Sequence, residues 1–221
     1  MKSIGSFSLA ASFLCFLLPP AHGLTVYNDT AVDTFTALAY AGTYTQLGDQ
    51  VSLLPGSFRI ATQATVELFN IGTAGTFDAT LRLFNVGSPV GTQLGGDFVR
   101  TGIAVPDGDV VDIVFTLPNL VVPDNLIFTV SVGNSSSGVN IIGPELYEPP
   151  PTIGASDPTF AIGNDGSGFV QVSTGGDLSP GSNVFFDLQA NSPEPSTLTL
   201  AAAALLLFVA RASRPARRTA S

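Results

Sequence analysis

From Asp109 to Leu117 the side chains alternate. Val111, Ile113, Phe115 and Leu117 fall on one side, and Asp112, Val114 and Thr116 fall on the other. A period of two is that of an extended strand, whose successive side chains stand on opposite faces, whereas a helix repeats near 3.6. Leu126, Phe128, Val130 and Val132 repeat the pattern against Ile127, Thr129 and Ser131. Shorter runs rich in Thr, Val, Phe and Ile predict further strands over 24–28, 57–62, 65–69, 77–84, 92–99, 139–142, 168–173 and 184–189. Turn formers separate them at short intervals, as at Pro55-Gly56, Asp107-Gly108, Gly133-Asn134 and Asp165-Gly166. Only 34–41 reads as one or two turns of helix. Many short strands between regular turns predict an all-β domain over 24–190, an antiparallel β-sandwich with jelly-roll-like topology.

Two stretches bear on how the strands connect. Residues 64–70 (ATVELFN) echo 79–85 (ATLRLFN), which predicts two neighbouring strands of one hairpin. The unit does not recur, so a propeller or solenoid is not indicated. Residues 143–158 centre on Pro149-Pro150-Pro151 and predict a long surface loop or an edge, because proline cannot donate to a sheet ladder.

Residues 24–192 hold no Cys, His, Met, Lys or Trp. Three arginines face 16 acidic residues, a net charge of −13. A phosphate backbone needs a basic face, so nucleic-acid binding is excluded as a role. Without His, Cys or Lys there is no Ser-His-Asp or Cys-His arrangement, no Schiff base and no zinc site of the His/Cys type. Carboxylate chemistry remains, with Glu67, Glu145 and Glu148 as the glutamates and no signature around them. The expectation is a domain that is not an enzyme and carries no organic cofactor.

The two ends differ from the middle. Lys2 precedes an apolar run over 7–18, and Ala21 and Gly23 supply a small-residue exit, which reads as a signal peptide over 1–23. At the other end, over 191–221, Pro193-Glu194-Pro195 leads into an apolar block over 197–210, and Arg211, Arg214, Arg217 and Arg218 follow. The prolines keep the backbone extended and open to a processing enzyme. Fourteen residues make about 21 Å of helix against a hydrocarbon core of about 30 Å. Snorkelling arginine stems and local thinning shorten that deficit. The block therefore reads as a C-terminal transmembrane helix with its arginines as a stop-transfer cluster on the cytoplasmic side.

This tripartite end resembles the PEP-CTERM sorting signal, in which Pro-Glu-Pro, commonly continued by Ser-Thr-Leu as in Ser196-Thr197-Leu198, precedes a short membrane helix and an Arg-rich end. The resemblance covers about 30 residues. It implies a Gram-negative host, recognition by an exosortase at the inner membrane, cleavage near the motif, and association with extracellular polysaccharide and biofilm matrix at the cell surface. The chain is then the substrate of the sorting enzyme.

Two loop clusters offer the oxygen ligands that calcium takes. One is Asp107-Gly108-Asp109 with Asp112. The other is Asn164-Asp165-Gly166-Ser167, with Asp157 nearby. Neither has EF-hand spacing, and the competing reading is that Asp and Asn simply form turns beside Gly. Among the tyrosines, Tyr147 lies between Glu145 and Glu148 and is the candidate for stacking on a sugar ring. The expected roles are a structural surface protein or, alternatively, a carbohydrate-binding or adhesion module that uses calcium.

Overall fold

A computed structural model describes residues 23–30, 32–38, 44–56, 59–136, 139, 142–157, 160–173 and 182–191. The leader, Pro193, Glu194, Pro195, the apolar block 197–210 and Arg211, Arg214, Arg217 and Arg218 lie outside the described residues. Among those described, no helix is long and apolar enough to cross a membrane.

Among the described residues fourteen strands follow one another: β1 (Leu24–Asn28), β2 (Asp33–Ala37), β3 (Gln46–Ser52), β4 (Arg59–Asn70), β5 (Gly75–Val86), β6 (Val90–Val105), β7 (Asp109–Val122), β8 (Asn125–Gly133), β9 (Ile142–Tyr147), β10 (Ala155–Ser156), β11 (Phe160–Asn164), β12 (Phe169–Ser173), β13 (Asn183–Val184) and β14 (Asp187–Asn191). They form two antiparallel sheets of seven strands each. In the first, β4 is the spine. Its whole length pairs with β7, and its other edge pairs with β14 and then with β9. β1 extends the sheet from β14, and β2 and β13 extend it from β9. The second sheet runs β12-β11-β3-β8-β5-β6, with β10 on the edge of β3.

Alternation builds the core. Val66 and Leu68 of β4, Ile113, Phe115 and Leu117 of β7, and Leu188 and Ala190 of β14 come from the first sheet. Leu81 and Leu83 of β5 and Leu126, Phe128 and Val130 of β8 come from the second. All belong to one buried apolar cluster. The rings of Phe128 and Phe186 stack at 4.1 Å, joining β8 to the segment between β13 and β14. Burying apolar side chains from two sheets against each other supplies the driving force that no disulfide is present to supplement.

Several expectations change. Residues 34–38 form no helix, since Asp33–Ala37 is a strand on the edge of β9. The described part of the run 57–62, residues 59–62, and the run 65–69 belong to the single strand β4. The echoing segments are not a hairpin: β4 and β5 lie in different sheets, and β5 pairs with β6 and β8. The shared apolar stripe, Val66 and Leu68 in one and Leu81 and Leu83 in the other, is what each sheet turns toward the common core. The Pro-rich stretch begins with β9, and Pro144 sits opposite Leu68 in the ladder.

Phe128→Ala should destabilise the protein by about 3–5 kcal/mol, the usual cost of emptying an aromatic site. Phe35→Ala, at a side chain 82% exposed, should change stability by less than about 0.5 kcal/mol. Urea unfolding of the two variants beside the parent checks the pair. Equal effects would contradict the packing described.

Candidate functional site: an acidic row on one sheet

Because Val66 and Leu68 face the core, Glu67 between them faces away from it. Its neighbours follow from register. Asp112 of β7 lies directly opposite Glu67. On the other edge Leu68 pairs with Pro144, which brings Glu145 of β9 beside Glu67. Tyr147 of β9 stands opposite Asp33 of β2. Four carboxylates and one phenol from four strands thus form a row across the sheet.

The Tyr147 hydroxyl donates to Glu67 Oε2 at 2.5 Å. The Tyr147 ring rests 5.1 Å from that of Phe185, so the phenol is held from behind. Glu145 is 0% exposed, and neither of its carboxylate oxygens has a hydrogen-bond partner. Burial pushes the Glu145 carboxyl up to about 8, with Asp33 and Glu67 adding repulsion. Burial also raises Glu67, to about 7; Tyr147 pulls it down and Asp112 pushes it up. The Tyr147 phenol is driven above its ordinary range, by burial first and then by Glu67.

No arginine offsets these groups. Arg59 pairs with Asp124 at 2.9 Å and also donates to the Leu54 carbonyl. Arg82 pairs with Asp97 at 2.7 Å. Arg100 donates to the Val114 carbonyl at 2.7 Å. With no cation at hand, burial favours the protonated forms of Glu67 and Glu145, and the Tyr147 hydroxyl donates to Glu67 beside them. Such a surface suits a neutral, hydroxyl-rich ligand.

The two loop clusters look different in three dimensions. Asp107, Asp109 and Asp112 are all exposed, and strand alternation turns Asp109 and Asp112 to opposite faces of β7. Asp165 closes its own turn, accepting from the Ser167 N–H at 2.9 Å and the Ser167 hydroxyl at 2.7 Å. Asn164 accepts from the Gly166 N–H at 2.8 Å. These bonds hold the Asp165 carboxyl below its usual range. Asp157 lies elsewhere, close enough to Asp49 to raise that carboxyl. Among the described residues no group of three or more Asp, Glu, His or Cys is gathered as a metal site. Nothing local marks Asp33 as a partner, since it precedes the segment 34–41 that reads as helix, and the convergence of Glu67 with Tyr147 depends on residues 80 apart in the chain.

No protein-family model, curated protein or solved structure matches the chain.

Raised carboxyl pKa values mean that the folded state binds protons the unfolded state has released. The stability they support is complete below about 4.5 and is lost as pH climbs through about 7 to 8. The melting temperature should fall across that window. Glu145→Gln, which stays neutral at every pH, should flatten the decline. Melting curves of both proteins from pH 4.5 to 8.5 measure it, and parallel pH profiles would refute the assignment.

Proposed function

We propose that the protein is an exported, non-enzymatic surface or matrix component of a Gram-negative bacterium. The observation that carries this reading is the tripartite end: Pro193-Glu194-Pro195, the apolar block 197–210, and Arg211, Arg214, Arg217 and Arg218. In this reading the leader directs export and the tail holds the chain in the inner membrane. An exosortase then cuts near the motif and delivers the domain to the cell surface or the extracellular polysaccharide.

The domain's properties support such a role. A net charge of −13 over 24–192 favours solubility and keeps copies apart. Two sheets closed on one apolar core need no disulfide, and a jelly-roll-like sandwich is the topology we favour for them. The non-enzymatic reading is supported by composition, since residues 24–192 hold no His, Cys or Lys for a nucleophile–base pair or a Schiff base.

The acidic row favours a second reading, a carbohydrate-binding or adhesion module. Tyr147 is half-buried, braced by Phe185 and flanked by proton-bearing carboxyls, so a polar handle sits beside an aromatic ring.

Mass spectrometry of the protein recovered from its host tests targeting. The mature C-terminus should lie near 193–195, and an exosortase-deficient strain should accumulate chains that keep the arginine tail. A full-length chain, soluble in the cytoplasm with both ends intact, would overturn the proposal. Polysaccharide pull-down tests the second reading: retention should drop at least about tenfold in Tyr147→Ala, a loss of about 1.4 kcal/mol. Equal retention by both proteins, or none by the parent, would remove it.

A further inference from the structure

A second polar cluster joins the two sheets from inside. Asp49 belongs to β3, where Leu47 and Val51 face the core, and alternation turns Asp49 the same way. It stands directly opposite Phe128 in the ladder and is 1% exposed. From the other sheet come Tyr27 of β1, Asp29 two residues further on, and Asn183 of β13. All three are 0% exposed. Asp29 is near enough to Asp49 to raise the cost of ionising it, and the Asn183 amide lies against Asp29.

The bonding of this cluster is incomplete. Both carboxylate oxygens of Asp29, Oδ2 of Asp49, both amide atoms of Asn183, the Tyr27 hydroxyl and the Ser156 hydroxyl have no hydrogen-bond partner of ordinary geometry. Asp49 keeps one firm donor, the N–H of Gln50 at 2.6 Å, and looser approaches link the Val184 N–H to Asp49, Ser156 to Tyr27 and Asn183 to Asp29. Buried polar atoms are nearly always paired, and a group of orphans in one place points to something that completes it. Two buried carboxylates require a cation or protons. The described arginines are committed elsewhere, and the region 24–192 has no lysine or histidine.

We propose that Asp29, Asp49 and Asn183 form an internal site for a hard divalent cation, calcium, bridging the two sheets. The donor set is oxygen throughout: two carboxylates, the Asn183 carbonyl, and the Tyr27 and Ser156 hydroxyls around them. Calcium accepts such mixed, irregular oxygen shells, whereas magnesium demands near-octahedral order and zinc prefers nitrogen or sulfur. A recess of about 90 Å³ lined by Asp49, Gln50, Asp157, Ile162 and Gln171 gives access beside Asp49.

The full chain, purified in detergent and stripped with EGTA, provides the test at pH 7.5. Calcium at about one hundred times its dissociation constant should raise the melting temperature by about 5–10 °C. Terbium should bind in competition with calcium and luminesce on excitation at tyrosine wavelengths. Tyr27→Phe should cut that luminescence severalfold and, by removing one oxygen donor, shrink the calcium-induced shift. Asp49→Asn, which relieves repulsion, should melt no lower than the parent without calcium and should lose the shift. Should Asp49→Asn not fold, Asp29→Asn takes its place. Glu145→Gln, in the outer row, should keep the full response. The proposal fails if calcium leaves the parent's melting unchanged, if the aspartate variant keeps the shift, or if Glu145→Gln alone abolishes it.

Discussion

Scarcity of positive charge governs this molecule. Residues 24–192 contain three arginines, and the structure engages all of them away from the buried acids. Any carboxylate drawn out of water must hold a proton or meet an ion from solution. Identical side chains therefore diverge according to place. Asp97, at the surface, receives Arg82 and Gln93, and its carboxyl falls below the usual range. Asp78 receives Asn134 and the Gly102 N–H and falls too. Asp29, Glu67 and Glu145, with burial and no cation, rise to about 7, 7 and 8.

Such acids persist only because apolar packing outweighs them. The cluster joining both sheets is anchored by Phe128 and Phe186, and Asp49 sits beside that stack in register with Phe128. A carboxylate placed between Leu47 and Val51 breaks the alternation that the rest of the fold obeys. That break is why β3 escaped the sequence reading. Gly48-Asp49 looks like a turn, and nothing local says that the chain continues extended through it. β7 and β8 were legible because each alternates over many residues, with an apolar stripe facing the core. β2 and the pairing of β4 were not. A five-residue edge strand takes its conformation from β9, and the likeness of 64–70 to 79–85 reflects a shared core-facing stripe rather than a shared hydrogen-bond ladder.

The acidic row was half legible. Glu67, Asp112, Glu145 and Tyr147 each carry legible chemistry, but nothing local in the sequence groups all four. What gathers them is the register of β4 with β7 and β9, a non-local property that turns and composition do not encode. The internal cluster was illegible for a different reason. Asn28-Asp29-Thr30 has the composition of a turn, and burial is the one fact that makes Asp29 unusual. Conversely, Asp107, Asp109 and Asp165 have the composition of a calcium loop; the structure shows them exposed, with Asp109 and Asp165 accepting from nearby backbone N–H groups.

The two acidic sites meet at β13. Asn183 is paired in the ladder with Tyr147 of the outer row, and its side chain lies against Asp29 of the inner cluster. A two-residue strand is held by few bonds, so its position answers to both. When Asp29 and Asp49 ionise without a counterion, repulsion acts between the sheets and loosens the strand that positions Tyr147. With a divalent cation between them, the same charges attract a common centre and draw β1, β3 and β13 together. The residues that weaken the fold when ionised alone become a clamp when metal is present, and the outer row inherits the order of the inner one.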